Sequence, residues 1–286
     1  MRLEDERESS NIEDRRGSQI RLGRKKSLGL LGIILVLVAA YFGADPGIVL
    51  NLLQRAAPVV EERGTPPVSG QAPVRDETTV FISKVLANTE DIWRTVFADM
   101  GQRYREPTLV LFSGVTPSAC GMGQAAMGPF YCPLDQKLYV DLRFFDQLKN
   151  RYGAPGDFAR AYVLAHEVGH HVQNLLGIAG KVQSLQQRVR PEEANQLSVG
   201  LELQADCLAG VWANRAHHLR NILEPGDLEA GLRAAAAVGD DTLQRRTQGY
   251  VVPETFTHGT SQQRASWFRQ GLKSGDVGSC DTFSGY

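Results

Sequence analysis

Three residues in the run His166-Glu167-Val168-Gly169-His170 could do chemistry together. On a helix, side chains four apart share a face, so His166 and His170 can turn two imidazoles toward one metal ion. Glu167 stands beside them, within reach of a water held at that ion. Two neutral nitrogen donors and an adjacent carboxylate are the minimum a zinc hydrolase needs to hold its metal and to take a proton from water.

That chemistry requires the pentapeptide to lie on a helix. Gly153-Ala154-Pro155-Gly156 breaks any preceding element, and Asp157 is a good N-cap. Apolar or small residues then recur at Phe158, Ala161, Tyr162, Ala165, Val168, Gly169, Val172, Leu175 and Leu176, the spacing of a buried helical face. Gly177 is a natural stop. The pattern predicts a helix over 157–176 with the motif near its middle. Gly169 costs about 1 kcal/mol against Ala inside a helix. Its missing side chain would let another element approach beside the metal.

A catalytic zinc takes three protein donors and leaves a fourth position to water. A second helix is expected over 192–219, carrying Glu202 and Asp206 four apart on one face. One carboxylate, Glu202, can complete the donor set, and Asp206 can orient a histidine or an arginine. Two histidines and a glutamate favour Zn2+ as the cofactor. His171 is turned about 100° from His170 around the helix, so it is expected to pack or hydrogen-bond nearby. His217 and His218 close the second helix, where imidazoles suit the dipole. His258 sits in a Thr-His-Gly-Thr loop from which a side chain can reach a site.

The longer strings carry a resemblance. Gly153-Ala154-Pro155-Gly156-Asp157-Phe158, Ala165 to Gly177 around the motif, Glu202-Leu203-Gln204-Ala205-Asp206-Cys207, Gly239-Asp240-Asp241 and Phe256 to Ser261 resemble the neutral zinc metallopeptidase family of bacteria. The likeness covers residues 75–286 and is gluzincin-like, an H-E-x-x-H followed by E-x-x-x-D. It implies a zincin-like α+β fold, a zinc cofactor and a peptide or protein substrate. A looser likeness joins the chain to membrane-associated zinc proteases, in which a later His precedes an Arg. By that likeness His258 steadies the oxyanion and Arg264 pairs with Asp206. In such proteases an edge strand binds extended substrate, and the segment Lys137 to Leu142, just before the motif helix, would supply it.

Ser27 to Ala44 is uncharged and strongly apolar, and as a helix it would be about 27 Å long, enough for a bilayer core. Arg15, Arg16, Arg21, Arg24, Lys25 and Lys26 precede it without an acid among them. The positive-inside tendency then gives a cytoplasmic tail over 1–26, a signal anchor over 27–44, a linker over 45–76 and a catalytic domain over 77–286. A cleaved signal peptide is the rival. The expected location is the bacterial inner membrane, single-pass, with the domain on the periplasmic side. Four cysteines, Cys120, Cys132, Cys207 and Cys280, suit disulfides in an exported enzyme. Cys120 and Cys132 bracket a Gly-rich stretch, and Cys207 with Cys280 would tie down the tail. Three pairings remain open.

Elsewhere a helix is expected over 77–102, strands at Thr108 to Phe112 and Lys137 to Leu142, a helix over 227–247 and a short helix after the His258 loop. The expected fold class is α+β: a mostly helical catalytic domain with a small sheet, preceded by one transmembrane helix. The net charge of −1 and the absence of a basic patch in the exported part argue against nucleic acid as a partner. The residues thus describe a membrane-anchored zinc endopeptidase with Glu167 as general base. A zinc-bearing binding or chaperone module without turnover, or another zinc amidohydrolase, is the alternative. A deformylase-like site would use a cysteine donor such as Cys120.

Overall fold

Thr108 to Phe112 is apolar on both alternating faces, as a strand buried on both sides must be. In a computed structural model of the chain, which describes residues 1–17 and 75–284, it is an inner strand. The sheet has the order β1-β2-β6-β5, with β1 Ile12–Asp14, β2 Thr108–Phe112, β5 Phe130–Cys132 and β6 Lys137–Asp141. β1, β2 and β6 run parallel, and β5 runs antiparallel to β6 with Phe130 opposite Tyr139. A separate hairpin pairs β3 (Val115–Ser118) with β4 (Gly121–Gln124).

One face of the sheet, through Leu109, Leu111, Leu138 and Val140, joins the main core with the helices. The other face holds a small cluster of Val110, Phe112, Cys132 and Tyr139, where the Phe130 and Tyr139 rings stack at 4.7 Å. The helices are α1 (Glu77–Asp99), α2 (Arg143–Asn150), α3 (Asp157–Leu175), α4 (Ile178–Gln186), α5 (Pro191–Arg220), α6 (Asp227–Ala237), α7 (Asp240–Gln248) and α8 (Ser261–Ser274). The mixed, mostly helical α+β class agrees with the sequence reading.

The motif helix α3 lies against α5, and their backbones touch. A Cβ on Gly169 would meet the Ala205 carbonyl oxygen at 2.8 Å, so only glycine fits there. The expected close approach is therefore made by α5. On its other side α5 packs so tightly on α8 that a Cβ on Gly271 would meet the Cys207 carbonyl oxygen at 1.8 Å. Disulfides join Cys120 to Cys132 and Cys207 to Cys280. The second holds the 277–280 turn against α5.

Several expectations need correction. Residues 227–247 form two helices, because Gly239 breaks the run and abuts Ser261. β6 is an inner strand, since β2 covers one side and β5 the other, so the free edge of the sheet near α3 belongs to β5. The motif helix takes Gly156 as its N-cap and has Asp157 as its first residue, where Asp157 pairs with Arg160.

The largest correction concerns the N-terminal residues. Residues 1–17 and 72–286 form one compact unit, so residues 1–17 are not a tail held apart from the catalytic domain. Leu3 is buried in the main core, and β1 extends the sheet. The buried Glu90 of α1 takes hydrogen bonds from Arg7 Nη2 (2.7 Å), Ser9 Oγ (2.6 Å) and Asn11 Nδ2 (2.8 Å). Arg15 and Arg16, read as topogenic charges, are paired with Glu13 and with Asp14 and Asp76. A single crossing that parts residues 1–26 from the domain does not agree with this packing. Among the described residues no helix is long and apolar enough to cross a membrane, and the 27–44 run lies outside them.

Candidate metal centre

α3 and α5 cross with His166 and His170 on one helix facing Glu202 on the other. The Nε2 atom of His166 lies 3.2 Å from one Glu202 oxygen, and that of His170 lies 3.3 Å from the other. Donors about 2.0–2.1 Å from a tetrahedral zinc stand about 3.3 Å from one another. The three side chains therefore already hold the spacing of a zinc donor set, and among the described residues they are the one such cluster.

Each histidine is oriented through its other nitrogen. His166 Nδ1 lies 2.8 Å from Asp206 Oδ1, which fixes the Nδ1–H tautomer and leaves Nε2 free toward Glu202. His170 Nδ1 lies 2.9 Å from Gln173 Oε1. Gln173 is itself fixed by donating Nε2–H to the Leu201 carbonyl (2.7 Å) and to Gln204 Oε1 (3.1 Å). Gln204 in turn donates to the Cys280 carbonyl at 2.9 Å, beside the disulfide. Gln173 and Gln204 are functional candidates that sequence reasoning passed over. The available signal was a polar side chain three residues past His170, on the same face of the helix.

Asp206 is fully buried and collects more than His166. Arg264 reaches it with Nε at 2.8 Å and Nη2 at 3.0 Å, a bidentate pair, and the Tyr162 hydroxyl also donates to it. Burial raises the proton affinity of this carboxyl, but the Arg264 guanidinium and the His166 imidazole outweigh burial and hold its pKa below the ordinary range. For His166, burial lowers the pKa while Asp206 and Glu202 drive it up, to about 10. The surroundings thus favour positive charge at the imidazoles. Three carboxylates, Glu167, Glu202 and Asp206, face one guanidinium here. With neutral imidazoles two negative charges stay uncompensated, so a dication balances the cluster. Donor set, spacing and charge all fit zinc.

Glu167 is buried on the same helix and lines the cleft that opens over the donors, a space of about 560 Å³. Burial raises its pKa, and the neighbouring imidazoles pull it back. His258 lines the same cleft. Its Nδ1 lies 3.1 Å from Asp240 Oδ1, while Asp240 Oδ2 accepts the backbone N–H groups of Thr257, His258 and Gly259 at 2.8, 2.7 and 3.1 Å. Asp240 thus shapes the loop and orients the ring. Its role was invisible from spacing, because it stands eighteen residues away.

Cys120 cannot serve as a thiolate donor, since it is bonded to Cys132. Cys207 points away from the donor face into its own disulfide. His171 hydrogen-bonds locally, as expected: Nε2 reaches the Arg105 carbonyl at 2.6 Å and Nδ1 the Tyr131 hydroxyl at 3.0 Å. Asn174 donates to the same hydroxyl at 3.0 Å, so Tyr131 fastens the edge strand β5 to the motif helix. His217 Nδ1 accepts from the Leu223 N–H, a structural use.

The family model described as "Putative neutral zinc metallopeptidase" matches residues 1–283. The chain is 51% identical over 292 residues to the uncharacterized protein YpfJ of Escherichia coli K12, covering 99% of each. It is 46% identical over 191 residues to the uncharacterized protein Rv2575 of Mycobacterium tuberculosis, covering 63% of this chain and 64% of that one. No solved structure matches. The chain belongs to the putative neutral zinc metallopeptidase family, and its N-terminal residues fall inside the family match as they fall inside the folded unit.

Proposed function

We propose that this family member is a zinc-dependent endopeptidase whose general base is Glu167. The observation that carries the reading is the His166, His170 and Glu202 donor set at zinc spacing with a buried, cleft-facing carboxylate one residue away. A bound zinc ion would supply Lewis acidity toward a water and a substrate carbonyl.

The protein's own groups supply the rest. Glu167 takes the proton of the attacking water and delivers it to the amine that leaves. Asp206 and Gln173 keep each imidazole in its Nδ1–H tautomer. His258, with Nδ1 engaged by Asp240, has Nε2 left to donate to the oxygen on which negative charge develops. Arg264 balances Asp206 and anchors it. The free edge of β5 offers backbone hydrogen bonds to an extended peptide beside the donors. A cleft open at its mouth suits cleavage within a chain. The two disulfides support folding in an oxidising compartment.

The test is Glu167→Gln. That variant is expected to bind one zinc per chain, as wild type does, and to lose peptide cleavage by about 10²-fold or more. Undiminished cleavage overturns the mechanism. Stoichiometric zinc with no cleavage by wild type, across a broad peptide library, supports a binding module instead.

A further inference from the structure

The cleft over the donors has an uneven chemistry. Every charged side chain in its lining belongs to the donor cluster: Glu167, Glu202 and Arg264, with the donor imidazoles and His258. Arg264 is spent on Asp206 and on the Val238 carbonyl. Apart from the uncharged amides of Gln147 and Gln173, the remaining walls are apolar or aromatic. Met127 and Phe130 come from the segment around β5, Phe144 and Tyr152 from α2 and the turn after it, Val163 from α3 and Leu243 from α7.

We infer that the cleft selects polypeptide segments carrying a large apolar side chain, aliphatic or aromatic, next to the scissile bond, and rejects segments with charge there. This rests on the peptidase reading and adds the substrate class. An acidic or basic side chain placed against these walls gives up its hydration and meets no free opposite charge, whereas an apolar one leaves water for apolar surface. The wall is also adaptable. Met127 is 72% exposed at the cleft rim, and its unbranched thioether can follow side chains of different shape. The strand beside it is held at its middle, by Tyr131 to His171 and Asn174, and at its C-terminal end, by Cys132 to Cys120. Little ordering remains for binding to impose on it.

Two measurements on the full chain separate this inference from the peptidase reading. The first is binding, by fluorescence anisotropy, of matched peptides to zinc-loaded Glu167→Gln. The peptides differ at one position, Leu or Phe against Asp or Lys. At least tenfold tighter binding of the apolar peptides is expected, and equal binding overturns the inference whatever the turnover. The second is the distribution of cleavage sites in a random peptide library digested by wild type. Sites flanked by Leu, Phe, Met or Ile are expected, and sites without that preference overturn the inference while leaving the peptidase reading intact. Preferential apolar binding with no cleavage by wild type supports the selectivity and sinks the peptidase reading alone. Met127→Lys, at an exposed position that cannot upset the core, is expected to cut the Leu-to-Asp binding ratio at least threefold. An unchanged ratio removes Met127 and its wall from the selectivity.

Discussion

Asp206 Oδ1 stands 2.8 Å from His166 Nδ1, and the same carboxylate holds Arg264 through two hydrogen bonds. One buried acid therefore orients a donor and neutralises a cation. Asp206→Asn keeps the shape but loses the charge on which both partners depend. Zinc affinity, read by competition with a chromogenic chelator, is expected to fall about 10- to 100-fold. Asp206→Ala should also destabilise the fold by about 3–5 kcal/mol, because Arg264 is left buried without its counter-charge. Wild-type zinc affinity in Asp206→Asn would remove the orienting role.

Metal removal is expected to lower thermal stability. Stripping the dication leaves Glu167, Glu202 and Asp206 facing a single guanidinium. A ligand present at a hundredfold excess over its Kd contributes about 2.7 kcal/mol to the folded state. A chelator should therefore reduce the Tm by several degrees, and added zinc should restore it while magnesium, an oxygen-seeking ion, should not. An identical Tm in both states would argue against binding at this cluster.

The Asp240–His258 pair makes a pH prediction. The Asp240 hydrogen bond raises the His258 pKa above the ordinary range; burial opposes it, Glu202 adds to it and Arg264 subtracts. A protonated imidazole is the stronger donor to an oxyanion. Its contribution to kcat/KM holds below the raised pKa and fades as pH climbs through it. Asp240→Asn removes the largest cause, so the alkaline limb of kcat/KM should move to lower pH, with zinc content unchanged. The stability linkage has the same sign: the pairing contributes fully below an imidazole's usual value of about 6.5 and is lost as pH rises through the folded value. A limb that stays in place assigns it to another group.

Gly169→Ala is a test of backbone contact. In a solvent-facing helix this change gains about 1 kcal/mol. Here the added methyl meets the Ala205 carbonyl oxygen at 2.8 Å and its Cα at 3.0 Å. The two helices must separate three residues from Glu202, so lower stability and weaker zinc binding are expected together. A more stable variant with unchanged zinc affinity would show that α3 and α5 yield at that point.

The cluster of His166, His170 and Glu202 was legible because helical spacing is local. His166 and His170 share a face by the four-residue rule, and Glu202 with Asp206 repeats it on a second apolar helix. Thr108 to Phe112 was legible as a strand because both of its faces are buried. What escaped was set by tertiary pairing. β5 is three residues long, too short to alternate visibly, yet it is the sheet edge beside the cleft. Gln173 and Gln204 look like ordinary polar helix positions until α3 and α5 bring them within 3.1 Å. Arg7, Ser9 and Asn11 read as tail residues because their partner, Glu90, lies some eighty residues away on α1. The basic run before the apolar segment invited a topological reading that ion pairs with Glu13, Asp14 and Asp76 take away for Arg15 and Arg16.

The docking of residues 1–17 has a consequence for sidedness. Residues 1–17 and the helices that carry the metal cluster belong to one folded unit, so they share one side of any membrane. Reporters fused to the N- and C-terminus should therefore give one and the same sidedness.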